Sequence, residues 1–236
     1  MVFNDELIFI HIGKTGGMSC SRFLLENLKP TVYNCHPGAD NEIGRWPKMH
    51  GALPLCDTHR HWTLAQSLDY LNLFNGKGLD DFKKVVAVVR DPLSLEYSFF
   101  THLQKPHVRE QRGLNAKPLF DLADGDFLEF VKRAGYHAPG LSQDDFVRLD
   151  GEIPDCVELV KFESLDPDFE NAVKPFLRVD ADEGLRQSNR SAYKSPVEDL
   201  ITNELIDSVY KKHQYMYDSG MYSLDNYTTT STAVGF

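Results

Sequence analysis

A lysine and three glycines separate an apolar run from a helix-like stretch in Phe9 to Leu25, FIHIGKTGGMSCSRFLL. Gly13, Gly16 and Gly17 let the backbone approach an anion, the amides from Thr15 to Ser19 can point at it, and Lys14 adds a full positive charge. The chemistry indicated is the binding of a phosphate-like group. The spacing is not that of the ordinary ATP-binding loop, which needs four residues between its first glycine and its Gly-Lys pair. A second cation, Arg90, leaves the run VVAVV and is followed by Asp91 and Pro92. A guanidinium emerging from a buried strand needs an anion or carboxylate to satisfy it, whether a ligand or an internal partner such as Asp91 or Glu96. Ser98 stands about two helical turns further on and adds a hydroxyl. Two separate cationic sites suit a ligand with phosphates at both ends of a nucleoside, and not a triphosphate, whose charges lie together.

These groups need elements to hold them. Leu7 to Ile12 is a short apolar run rich in Ile and Phe and closed by glycine, as in a buried strand. Met18 to Leu28 carries Phe23, Leu24 and Leu28 at helical spacing until Pro30 stops it. Val85 to Val89 has no polar alternation, which predicts a central parallel strand covered on both faces. Pro92 then opens a helix through Leu103. Trp62 to Leu73 is helical by the spacing of Leu64, Leu68 and Leu71 and ends at Asn75-Gly76. Thr31 to Thr58 reads as mostly loop with one short strand. Val157 to Phe162 is a third strand, with Glu163 at its end as a second base or an orienting carboxylate. Val197 to Tyr217 reads as one long C-terminal helix, and residues 221–236 as a frayed tail. Alternating strands and helices predict an α/β three-layer domain with a mainly parallel sheet, whose ligands collect at the carboxyl ends of the strands.

A chain of 236 residues, 42% hydrophobic, can bury one good core, and residues 1–236 are expected to form a single domain. It has neither a run of about 18 apolar residues nor a basic-then-apolar leader, so the expectation is a soluble chain with no membrane insertion, or a soluble part of a longer anchored protein. Cys20, Cys35, Cys56 and Cys156 have no short-spaced pair and read as free thiols in a reducing, cytoplasmic setting. The formal net charge of −10 argues against broad binding to nucleic acid or an anionic membrane. Any anion site must be locally basic. Two clusters exist beyond the loop, Lys105 with His107, Arg109 and Arg112, and Arg178 with Arg186, Arg190 and Lys194; solvated surface charge is the plain reading of both.

Taken together, FIHIGKTGGMS and VVAVVRDPLSLEYS resemble the two nucleotide-binding signatures of the sulfotransferases that use 3′-phosphoadenosine 5′-phosphosulfate (PAPS), in particular the carbohydrate, heparan-sulfate-type branch. THRHWTLAQSLDYL stands where that branch has a His-containing segment, and ELVKFESL and QSNRSAYKS resemble its later segments, so the likeness spans most of the chain. The resemblance implies a P-loop-like phosphosulfate-binding loop in which Lys14, Thr15, Gly16, Gly17, Met18 and Ser19 hold the 5′-phosphosulfate. It implies that Arg90 and Ser98 hold the 3′-phosphate, and that Asn189, Arg190, Ser191 and Lys194 close over the nucleotide. Lys14 would stabilise charge growing on the leaving oxygen, as in phosphoryl transfer, without a metal. A general base must take the acceptor proton; alignment with the family's His segment favours His61, with His59 second. The acceptor is expected to be a hydroxyl on a carbohydrate or a small hydroxylated metabolite, and Lys105 to Gly113 an acceptor-side lid. Where the family usually has an arginine in the second signature, this chain has Leu95 and Glu96, which leaves that helix more acidic.

Three rival readings remain open on sequence. A magnesium-dependent phosphotransferase would use Asp91 as metal ligand. A zinc site would draw on Cys56, His59 and His61, which lack a second close pair. A non-catalytic nucleotide-binding module would have no use for a base beside Lys14.

Overall fold

The computed structural model describes residues 1–34, 53–54, 61–134, 141–181, 184–185 and 196–228. They form a mixed α/β protein whose chain divides into two compact units: Met1–Arg90 with Asp145–Ser191, and Asp91–Asp144 with Ala192–Phe236.

The first unit carries the sheet. Its strands are β1 (Val2–Phe3), β2 (Leu7–Ile10), β3 (Tyr33–Asn34), β4 (Leu53–Pro54), β5 (Lys84–Val89) and β6 (Val157–Lys161), in the order β4-β3-β1-β2-β5-β6. The central trio is parallel, Leu7 pairing with Lys84 and Val85 with Val157. β1 runs antiparallel to both β2 and β3. The turn between β1 and β2 is built on Asn4, whose buried Oδ1 accepts the amides of Glu6 and Leu7, both at 2.9 Å. Val85–Val89 are fully buried, as their unbroken apolar run predicts. Two helices, α1 (Gly17–Asn27) and a later one at Leu165–Val173, share a core on one face of the strands: Leu7, Phe9, Val86, Val88 and Val160 meet Cys20, Leu24 and Leu28 together with Phe169, Ala172 and Val173, and Phe23 of α1 lies edge-on to Phe169 at 6.3 Å. Each large side chain so buried contributes about 1.5–3 kcal/mol. The helix α2 (Leu64–Asn75) starts in a full capping box, with Thr63 and Gln66 exchanging hydrogen bonds, and stops at Gly76.

The second unit is helical: α3 (Pro92–Leu103), α4 (Pro106–Arg112), α5 (Lys117–Ala123) and α6 (Phe127–Arg133). The helix at Leu165–Val173 in the first unit is α7, and the second unit ends with α8 (Asn203–Lys212), α9 (Gln214–Asp218) and α10 (Asp225–Thr228). Phe99, Phe100, Phe127 and Phe130 stack through its core, with Phe100 and Phe127 centroids 5.1 Å apart. The single C-terminal helix expected over Val197–Tyr217 is instead a 3-10 turn at Pro196–Leu200 followed by α8 and α9. Thr202 caps α8, and His213 leaves helical geometry (φ −121°, ψ 34°) where its ring turns into the core. There Glu96 Oε1 accepts from His213 Nε2 at 2.7 Å and from Lys212 Nζ at 2.8 Å. Lys212 also donates to the Ala134 carbonyl at 2.7 Å. Glu96, the acidic departure in the second signature, is therefore a core anchor of α3 on α8.

Candidate active site

Residues 13–16 make a tight turn between β2 and α1, at the carboxyl end of a central parallel strand. Lys14 holds φ = 63°, a left-handed conformation that costs a side-chain-bearing residue about 1 kcal/mol or more. Gly16 holds φ = 80°, and a Cβ there would also lie 3.0 Å from Leu165 and 3.1 Å from Phe162. The Thr15 side chain is fully buried and its hydroxyl donates to the Ile12 carbonyl at 2.7 Å, pinning the loop from within. Gly16 caps α1 without a side chain, and the Ser19 amide takes its carbonyl at 3.0 Å. Gly17 opens the helix, and of its first-turn amides that of Ser19 is already satisfied by the Gly16 carbonyl. Met18 and Ser19 are half-buried in that first turn.

Arg90, at the end of the neighbouring strand β5, reaches across to this loop. Its Nη1 donates to the Lys14 carbonyl at 3.2 Å and its guanidinium lies 4.6 Å over the Phe162 ring. Phe162 thus touches both the Gly16 turn and Arg90. Of the nearby carboxylates, Asp91 Oδ1 accepts the Ser94 amide at 2.8 Å to cap α3 and its other oxygen accepts from Tyr227, while Glu96 is in the core cluster.

The base candidate His61 sits just before α2. Its Nδ1 is 2.9 Å from the His11 carbonyl, and its ring meets the His11 ring edge-on at 4.7 Å. A carbonyl only accepts, so Nδ1 carries the proton; in the neutral ring Nε2 then holds the lone pair, the state a general base requires. His11 follows β2 directly and is buried. A Cβ at position 17 would be 2.1 Å from His11 Cδ2 and 2.3 Å from its Nε2, so the imidazole lies flat against the start of α1. His11 and Phe162 escape the sequence reading. For His11 a signal existed, a polar ring inside the apolar run FIHIG. Phe162 has none, because its role depends on two segments far apart in the chain.

The structure brings Lys14, Thr15, Gly16, Gly17, Met18, Ser19, Arg90 and His61 around one loop of the first unit. Ser98 lies half-buried on α3 in the second unit. Glu163 is exposed in the 3-10 turn after β6. His59, Asn189, Arg190, Ser191 and Lys194 fall outside the described residues, as do Cys35 and Cys56. Cys20 and Cys156 are free thiols, and burial pushes both thiols up, away from nucleophilic use. Arg109, from the first basic cluster, is spent inside the second unit: it pairs with Asp124 (Nη1 to Oδ2 2.9 Å), donates to the Leu103 carbonyl and lies over Phe120. Arg178 likewise donates to the Glu26 carbonyl at 2.9 Å and pairs with Asp180.

Among the described residues no helix is long and apolar enough to cross a membrane. Comparison with protein-family models, with curated proteins and with solved structures finds no match.

Proposed function

We propose that the chain is a sulfotransferase that moves a sulfuryl group from PAPS to an acceptor hydroxyl on a carbohydrate or small hydroxylated metabolite. The observation that carries this reading is the convergence of Arg90 on the 13–16 turn at adjacent strand ends, its Nη1 on the Lys14 carbonyl, together with a histidine whose Nδ1 is committed to the carbonyl of His11 just before that turn. The donor set suits an anionic nucleotide: a glycine turn and a lysine for one charge, and a guanidinium from the neighbouring strand end, set against the same turn, for another. On this reading the 13–17 loop is a P-loop-like phosphosulfate cradle within a three-layer α/β/α fold. Arg90 takes the 3′-phosphate.

In the reaction, His61 Nε2 takes the acceptor proton as the acceptor oxygen forms its bond to sulfur. The bond from sulfur to the bridging phosphate oxygen breaks, and the Lys14 ammonium neutralises the charge left on that oxygen. His11 holds His61 in the required tautomer through its carbonyl. His59 is the alternative base.

Calorimetry with adenosine 3′,5′-bisphosphate tests the binding half: tight binding without magnesium is expected, and magnesium-dependent binding of ATP instead would sink the proposal. An acceptor screen with labelled PAPS tests the chemistry. Lys14→Ala and His61→Ala are each expected to lower turnover by roughly 10²–10⁴-fold. A normal rate in Lys14→Ala refutes the mechanism, and a normal rate in His61→Ala with loss in His59→Ala moves the base to His59.

A further inference from the structure

An aromatic series starts one residue from the candidate base. The Trp62 and Tyr70 centroids are 5.2 Å apart with their planes tilted by 50°, Tyr70 and Phe74 are stacked at 6.0 Å with near-parallel planes (9°), and Phe74 meets Tyr33 edge-on at 6.1 Å. Tyr70 and Phe74 are four apart on α2 and so share one face of it. The rings are not sealed into the core: Phe74 is 46% exposed, its neighbour Leu73 is 86% exposed, and Trp62, Tyr70 and Tyr33 are half-buried. Partly exposed aromatic rings offer apolar faces with polar edges, a surface that the C–H faces of sugar rings pack on.

Charge narrows the class of sugar. His61 to Gly76 contains no lysine or arginine, one acidic residue, Asp69, and the amides Gln66, Asn72 and Asn75. The lysine that follows, Lys77, pairs with Asp5 at 2.6 Å and lies over the Phe82 ring. A polyanionic chain would find no counter-charge along this helix, whereas hydroxyls and acetamido groups find amide partners. From these rings and this charge pattern we infer that Trp62, Tyr70, Phe74 and Tyr33 form the acceptor platform and that the acceptor is a neutral saccharide. This rests on the sulfotransferase reading for what is done to the sugar, and on the rings alone for its binding.

The test is calorimetric titration of the full chain with neutral hexasaccharides of glucose, galactose and N-acetylglucosamine, and with a heparin hexasaccharide. At least one neutral hexasaccharide is expected to bind, and Phe74→Ala and Tyr70→Ala to weaken it on the order of tenfold each, as aromatic anchors do. Phe74→Leu keeps apolar volume without the ring, and is expected to lose affinity while melting like the wild type. Binding of heparin alone, equal neutral-sugar affinity in wild type and Phe74→Leu, or no sugar binding at all overturns the inference. A dimer in sedimentation that Phe74→Ala dissolves does so too, in favour of a protein contact. Adenosine 3′,5′-bisphosphate titrated into wild type reads the sulfotransferase proposal separately, so either can fail while the other stands.

Discussion

The imidazole of His11 fills the space that a side chain at position 17 would need. Gly17→Ala would place a Cβ 2.1 Å from Cδ2 of that ring, and the ring has little room to yield because it is buried and backed by His61. The expected cost is about 1–3 kcal/mol of stability, measured by urea unfolding. Loss of activity should exceed the loss of folded protein, since a displaced His11 also moves the carbonyl that fixes His61. A Gly17→Ala protein with wild-type stability would mean that His11 packs otherwise. Lys14, Gly16 and Gly17 are legible in sequence because glycine and lysine advertise a backbone turn and a charge. The carbonyl that orients His61 is not, since any residue at position 11 presents one and only the fold decides what faces it.

At the scale of the element, Asp91 separates two accounts of the second signature. As the cap of α3 it is replaceable by asparagine, which caps equally well; as a magnesium ligand it is not. Asp91→Ala is expected to cost about 1 kcal/mol, lowering the melting temperature by roughly 2–4 °C in a chain of this size. Asp91→Asn should melt near the wild type and keep its turnover. Abolished turnover in a stable Asp91→Asn protein would favour the phosphotransferase reading. The elements themselves read well from sequence where pattern and punctuation agree: the strands at Leu7 and Val85, and the helices opened by Pro92 and closed by Gly76. Val2–Phe3 and Tyr33–Asn34 are too short to show a period, and the break at His213 comes from a tertiary partner, Glu96, more than a hundred positions away.

The two units hold together by different means. In the first, apolar strands share a core with α1 and α7; the second combines an aromatic core with a buried charge cluster. Burial alone would push the Glu96 carboxyl up, but the His213 hydrogen bond and the Lys212 charge hold it below the ordinary glutamate range. A carboxylate depressed in the folded state contributes stability that is fully present above its unfolded value of about 4.3 and is lost as pH falls through the folded value. Glu96→Gln is therefore expected to cost about 3 kcal/mol at pH 7 and progressively less below pH 4, as followed by urea unfolding across pH. Parallel curves for the two proteins would remove Glu96 from the acid sensitivity. The parallel sheet has a further consequence, in time. Its central ladders join Leu7 to Lys84 and Val85 to Val157, so each must close a long loop before any pairing rewards the closure. The helices between β5 and β6 also make local contacts with one another, and those can form while the loops are still open. The chain is thus built to assemble the 13–16 turn and the strand ends around it late, after local helix pairs have formed.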